Sequence, residues 1–313
     1  MQRYIMRRLI ATVPVLAVVA VLTFTLLRLA PGDPAVVIAG PEATPEHIAA
    51  IRVKLGLDAP LPVQFWLWLT LVLQGDLGRS ILSGHSVSAT IAQRLEPTVA
   101  LGLFAELIAI SLAVPLGVIA AWKANTWVDR LIMMLSVLGF AVPSFWLGFN
   151  LMWLFALNWR LLPPVGYQPL SEGIGPFLQH LLLPAVTVGI TAAALITRMT
   201  RATVLEVLRE DYIRTARAKG LREWVVLAGH ALKNAANPIL TIIGISFAGV
   251  LTGVVVTENV FGIPGIGRLF ADALARRDYA IVQGTILLTA AIYVFINLAV
   301  DLMYVYFDPR IRY

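Results

Sequence analysis

Residues 209–237 read REDYIRTARAKGLREWVVLAGHALKNAAN, a basic and polar stretch set between two long apolar segments. Arg209, Arg214, Arg217, Lys219, Arg222 and Lys233 supply the positive charge. Apolar positions nevertheless recur with a helical period at Leu205, Leu208, Tyr212 and Thr215/Ala216, which predicts a helix up to Lys219. Gly220 suits the left-handed C′ position that closes a helix, because it has no Cβ to clash there. A second helical run, Arg222 to Ala236, is expected to stop where Asn237 precedes Pro238, since the residue before a proline is pushed out of the α region. The expected unit is helix, tight turn, helix. Small residues at Ala216, Ala218 and Gly220 would let another protein's surface approach the backbone. These residues leave two readings open: a docking element, or one more basic loop of a membrane protein, packed on that protein's own helices.

The whole chain decides the class. Of its 313 residues 59% are hydrophobic and 13% charged, half the charge of an ordinary soluble domain. The formal net charge of +6 would point to nucleic acid in a soluble protein. Here the basic residues fall between apolar runs, as membrane topology requires, so nucleic acid is not an expected partner and lipid is. There is no cysteine, hence no disulfide, thiol nucleophile or thiolate metal site. No G-x-x-x-x-G-K-[ST] cradle occurs, and the glycine cluster at Gly262–Gly267 runs on into Arg268 and Leu269, so the chain is not expected to bind ATP itself. His47, His85, His180 and His230 are scattered and form no helical ligand pair, so no metal is expected.

Six apolar runs predict six transmembrane helices. The first, Leu9 to Leu27, follows Arg3, Arg7 and Arg8 and, at ~1.5 Å per residue, is long enough for ~30 Å of hydrocarbon. It lacks the small-residue pattern of a cleaved signal peptide and is read as an uncleaved span ending at the A-P-G-D-P break, Ala30–Pro34. The others are 98–121, 131–157, 181–197, 238–257 and 286–304. Residues 1–8, 122–130, 198–237 and 305–313 hold 3, 2, 8 and 2 lysines and arginines; the alternate intervals 31–95, 158–180 and 258–285 hold 4, 1 and 3. The positive-inside rule then puts both termini and the 209–237 stretch in the cytoplasm.

The external intervals carry their own signals. Between Ala35 and Gln93 a helical pattern covers Pro45 to Leu55 and ends at Gly56. Leu61 to Leu73 is too short to span, and its Phe65, Trp66 and Trp68 fit either a helix in the membrane interface or one packed on the rest of the region. Gly75-Asp76-Leu77-Gly78 reads as a turn. The glycines and proline of 262–267 predict a non-helical, buried or re-entrant segment.

Four stretches together resemble one family. DYIRTARAKGL at 211–221 is similar to the EAA loop of permease subunits of bacterial ABC importers, in the form used by the dipeptide, oligopeptide, glutathione and nickel group. APGDP at 30–34, FGIPGIGRL at 261–269 with RDY at 277–279, and DPRIRY at 308–313 resemble the same group. Arg214 stands where the general EAA pattern has glutamate, and His230–Lys233 replaces its apolar-Leu-Pro ending, departures that peptide-type permeases share.

The resemblance implies an all-α integral membrane protein of six transmembrane helices with the type I importer, MetI-like, fold. Its parts would be a first helix at 1–30, an external helical region at 31–95, a transmembrane core at 96–307 with a cytoplasmic loop at 198–237, and a tail at 308–313. It further implies the first of two permeases in a bacterial inner-membrane importer of peptides, with glutathione or nickel chelates as alternatives. A second permease, two cytoplasmic ATPases that hold ATP and magnesium, and an external binding protein would complete the machine. Asp211, Tyr212, Arg214, Thr215, Ala216, Arg217, Ala218, Lys219 and Gly220 would then couple the chain to an ATPase, and the chain itself would catalyse nothing.

Two acids fall in spans. Glu106 lies within the second and Glu258 closes the fifth, and a charge at mid-membrane costs at least ~2.5 kcal/mol, so such groups face a bundle interior, a water path or a partner. The alternative is that each is held near an interface by arginine or by backbone. Gly244-Ile-Ser246-Phe-Ala248 approaches the nucleophile motif of an intramembrane protease, but the sixth span offers no histidine base and small residues are common where membrane helices pack. A self-contained secondary carrier would call for an internal repeat, and none is evident in the sequence.

Overall fold

A computed structural model describes residues 2–29, 35–36, 43–54, 56–80 and 82–307. The APGDP break, most of the segment from Ile38 to Ala43 and the tail 308–313 lie outside the described residues. The helices are α1 Gln2–Leu29, α2 Pro45–Lys54, α3 Leu61–Leu73, α4 Val87–Trp122, α5 Trp127–Ala141, α6 Ser144–Leu151, α7 Ile174–Val207, α8 Asp211–Ala218, α9 Lys233–Val260, α10 Ile266–Ala275 and α11 Tyr279–Phe307. Among the described residues no β-strand occurs, only an isolated bridge between Arg79 and Ser86.

Among the described residues four stretches are long and apolar enough to cross a bilayer: α4, α7, Glu223–Leu251 and Tyr279–Ala299. A fifth follows if α5 and the Ser144–Asn158 helix count as one bent span, and the apolar part of α1, Leu9–Thr25, sits at the lower length limit. The span expected at 131–157 is broken near its middle, its two halves bent by 102°. At the break Val142 is extended (φ −79°, ψ 126°), the conformation that a following proline, here Pro143, favours. The helix then loosens into a π-helical turn over Met152–Asn158.

Proline acts differently at 238. The helix expected to end at Asn237 instead runs from Glu223–Val225 through a π-helical turn, Val226–Leu232, into α9. Pro238 has no N–H for the Asn234 carbonyl four residues back, yet the helix continues through it, as prolines in membrane helices often allow; three residues on, the Thr241 hydroxyl donates to the Asn237 carbonyl (3.0 Å). Two further boundaries move. The second span begins at Val87 rather than 98, and the interval 260–283 is irregular over 261–265 and 276–278, on either side of α10.

The contacts divide the chain into two compact units, one built on Glu96–Arg268 and one on Met6–Leu95 with Leu269–Phe295. In the first, Leu101, Leu181, Val254, Phe261 and Ile263 are fully or almost fully buried in one cluster. There α4 and α7 approach so closely that a Cβ on Gly189 would lie 2.8 Å from the Ala105 carbonyl oxygen, and one on Gly117 2.6 Å from the Thr200 Cβ. Small residues bring membrane helices into such contact because dispersion, rather than water exclusion, holds them together.

In the second unit, Phe24 of α1 packs on Phe65 (5.4 Å between ring centroids) and Trp68 (5.6 Å) of α3, while Trp66 stays exposed. The α3 aromatics therefore serve packing on one face. The predicted Gly75–Gly78 turn is present, with both glycines at positive φ and the Gly78 N–H donating to the Asp76 carboxylate (2.8 Å). A few residues on, the Ser80 hydroxyl donates to the Asp278 carboxylate at 2.5 Å.

Candidate functional site

The short helix α8 is amphipathic by necessity, because only two of its residues reach the core. Ile213 is fully buried and Ala216 nearly so, in a cluster with Ala121, Val204, Val226, Ala231 and Ile239. Burying one isoleucine contributes roughly 1.5–3 kcal/mol, enough to seat a helix of this length. Every other residue of the helix and turn that the sequence reading names is exposed: Asp211, Tyr212, Arg214, Thr215, Arg217, Ala218, Lys219 and Gly220. Ala216 is thus not available to a partner's surface; it supports the helix from beneath.

The turn closes as the sequence predicts. Gly220 adopts φ +77°, its N–H donates to the Arg217 carbonyl (2.9 Å), and the Leu221 N–H reaches the Ala216 carbonyl (3.4 Å). These two bonds are the Schellman pattern of a glycine-ended helix. Across the turn the Arg217 guanidinium forks onto Glu223, at 2.7 and 3.3 Å, tying α8 to the next helical run. Partial burial and the Glu210 carboxylate hold the Tyr212 phenol above its ordinary pKa, while an Asn234 hydrogen bond works against them. The outer face therefore presents one acid, one neutral phenol and three cations on a rigid mount.

A cleft of about 300 Å³ lies between spans of the same unit. Phe140 and Ser144 flank it at the bend, with Thr191 and Leu195 from α7 and Ser246 and Gly249 from α9. Behind Ser246 lies Glu106, 4% exposed; Oε2 accepts the Ser246 hydroxyl at 3.4 Å and Oε1 has no hydrogen-bond partner among the described residues. Ser246 thus meets a carboxylate, consistent with interhelical packing.

Glu258 has a different setting. It is fully buried, accepts the Thr98 hydroxyl (2.6 Å) on Oε1 and the Arg268 N–H (2.9 Å) on Oε2, and receives the Ile263 N–H (2.9 Å) on its own carbonyl. It holds the irregular 261–265 segment and the first turn of α10, the backbone-held alternative of the sequence reading. One pair escaped that reading: Arg201 of α7 forks onto Asp129 of α5, at 2.5 and 2.7 Å. Its partners are 72 residues apart, and no local pattern joins them.

Bent and closely packed membrane helices around a cleft, with a small charged helix seated on one end, define a multi-pass membrane protein. Comparison with known proteins places it. The chain belongs to the family of binding-protein-dependent transport system inner membrane components, whose model matches residues 113–313, with the N-terminal model of that family matching 1–102. It is a permease subunit of an ABC importer and a multi-pass inner-membrane protein.

A probable peptide ABC transporter permease protein of Sinorhizobium fredii is 50% identical over 310 residues, covering 99% of both chains. A putative peptide transport system permease of Brucella abortus is 44% identical over 313 residues, covering the whole of both. A glutathione transport system permease of Salmonella paratyphi A is 45% identical over 314 residues, again covering the whole of both. Among solved structures, the inward-facing MetNI methionine ABC transporter matches with TM-score 0.59 at 17% identity, over 70% of this chain and 96% of that one. That likeness supports the MetI-like fold alone.

Proposed function

We propose that this chain forms half of the translocation path of a peptide importer and is driven by a separate ATPase that docks on α8. The observation that carries the proposal is the seating of α8: Ile213 and Ala216 lock it to the ends of the spans while Asp211, Tyr212, Arg214, Arg217 and Lys219 face outward. A helix mounted so can receive a push and pass it to the membrane helices, because packed helices switch between discrete arrangements rather than deform continuously.

In this reading α8 and both chain ends lie in the cytoplasm. ATP and magnesium stay on two ATPase subunits, a second permease completes the path, and an external binding protein delivers substrate. The chain catalyses no reaction. Substrates are short peptides, a class that includes glutathione, since relatives of both descriptions match along the full length. Glu106 and the cleft beside it belong to the path, whereas Glu258 serves the loop it holds.

The test is reconstitution of the complete complex in vesicles with its binding protein and radiolabelled dipeptides. Gly220→Val should uncouple ATP hydrolysis from uptake, since a β-branched residue cannot adopt φ +77° without strain, while Gly220→Asn should retain coupling. Uptake that survives Gly220→Val removes the lever role. Uptake indifferent to ATP but abolished by collapsing the proton gradient would replace the importer with a carrier. Identifying what the binding protein carries selects among peptides, glutathione and chelates.

A further inference from the structure

Asp129 stands in the first turn of α5, and Arg201 lies near the end of α7, just before the chain turns into α8. The guanidinium grips the carboxylate with two N–H groups, Nε to Oδ1 at 2.5 Å and Nη2 to Oδ2 at 2.7 Å, and the Asn125 N–H donates to Oδ2 at 2.9 Å. The Asp129 side chain is 5% exposed and that of Arg201 24%. A bidentate pair of this kind fixes orientation as well as distance, and leaving either charge alone in a buried setting is costly.

The place of the fork gives it a consequence. At the other end of α5, Gly139 lies against Ile190 and Ala194 of α7, so these two helices are joined by close packing near the bend and by an ionic fork at the α8 end. The α9 side differs: it meets α8 through the apolar cluster, by way of the π-helical turn Val226–Leu232. Apolar contacts are non-directional and let surfaces slide, whereas the fork does not. Phe140 of α5 and Leu195 of α7 line the cleft that Ser246 and Gly249 of α9 also line.

We infer that Asp129 and Arg201 are a positioning pair for transport: they make α5 move with α7 as one lever, so that displacement at α8 reaches the Val142–Pro143 bend and changes the cleft against α9. The inference rests on the docking role of α8 proposed above. Neither residue touches substrate; both act through the helices they join.

The experiment uses the full complex in vesicles, with the ratio of dipeptide imported to ATP hydrolysed as the readout. Asp129→Asn keeps the shape and loses the charge, and Arg201→Lys keeps the charge and loses the fork. Each should lower the ratio by at least about fivefold, the low end of coupling energies between sites. The exchanged pair, Asp129→Arg with Arg201→Asp, should recover the ratio above that of either single variant. A merely structural pair would lower the amount of assembled complex and leave the ratio of wild type, and that outcome overturns the inference.

Should the variants fail to assemble, a chain that keeps Asp129 and Arg201 still decides. The chain has no cysteine, so spin labels go only on introduced ones. The distance between Ser136 on α5 and Leu195 on α7 should stay constant with and without ATP, while that from Leu195 to Ile245 on α9 changes. A changing Ser136–Leu195 distance overturns the inference. Absence of ATP-driven uptake in the wild-type complex would defeat the docking reading instead, so the two failures are distinguishable.

Discussion

The Thr98 hydroxyl donates to Oε1 of Glu258 at 2.6 Å while its oxygen accepts the Ile266 N–H at 2.7 Å, so one threonine and one glutamate between them cap α10. The first N–H groups of a helix have no partner within it, and a negative charge there is favoured by the helix dipole. Glu258 accepts a second of these groups, from Arg268, and Gly265 lies against its carboxylate so closely that a Cβ there would overlap Oε1.

Thr98→Val should therefore cost about 1–3 kcal/mol by orphaning a buried N–H and weakening the seat of the carboxylate. Gly265→Ala should cost a similar ~1–3 kcal/mol by overpacking. Both are read as a lowered Tm of the purified chain in detergent, and a Thr98→Val variant as stable as the parent removes the capping role.

Pro143 should be the cause of the bend rather than a passenger. Replacing it with alanine frees Val142 to become helical, so labels placed at Ser136 and Leu154, on either side of the 102° bend, should move apart in pulsed electron resonance. An unaltered distance would mean that packing, not the proline, bends the span.

The seat of α8 and its outer face should separate cleanly in mutagenesis. Ile213→Ala leaves a cavity under a fully buried side chain and should cost about 2–5 kcal/mol, with new protease cleavage inside 209–222. Arg217→Ala removes an exposed pair with Glu223 and should cost less than about 1 kcal/mol. The contrast is measured by thermal unfolding of the two variants side by side.

Tyr167 should make stability sensitive to alkali. Burial first, then its hydrogen bond to Glu96 (3.0 Å) and that carboxylate's charge, raise the phenol above its ordinary value near 10. With the folded value raised, the contribution is fully present below the unfolded value and is lost as pH rises through the folded one. Unfolding followed from pH 9 upward should show a steeper loss in the parent than in Tyr167→Phe, and parallel curves would discard this role.

Local chemistry was legible where the determining residues are neighbours in sequence. The limits of α3 at Leu61 and Leu73, the Gly75–Gly78 turn and the left-handed Gly220 all follow from residues within a few positions. The prolines were not legible, because identical chemistry gave opposite outcomes: Pro143 breaks its helix and Pro238 does not. A proline biases the preceding residue away from the α region without barring it, so the outcome is settled by the fold around it.

Composition, the spacing of apolar runs and the stretch at 209–237 by themselves determined that this is a multi-pass membrane protein with a short basic helix ended by glycine. Only the tertiary structure decided which buried charges hold which elements: Thr98 with Glu258 across 160 residues, Asp129 with Arg201 across 72, Glu106 with Ser246 across 140. The physical reason is that helix periods and turns are set by interactions along the chain. A buried carboxylate takes whatever donor the packing of distant helices brings within about 3 Å.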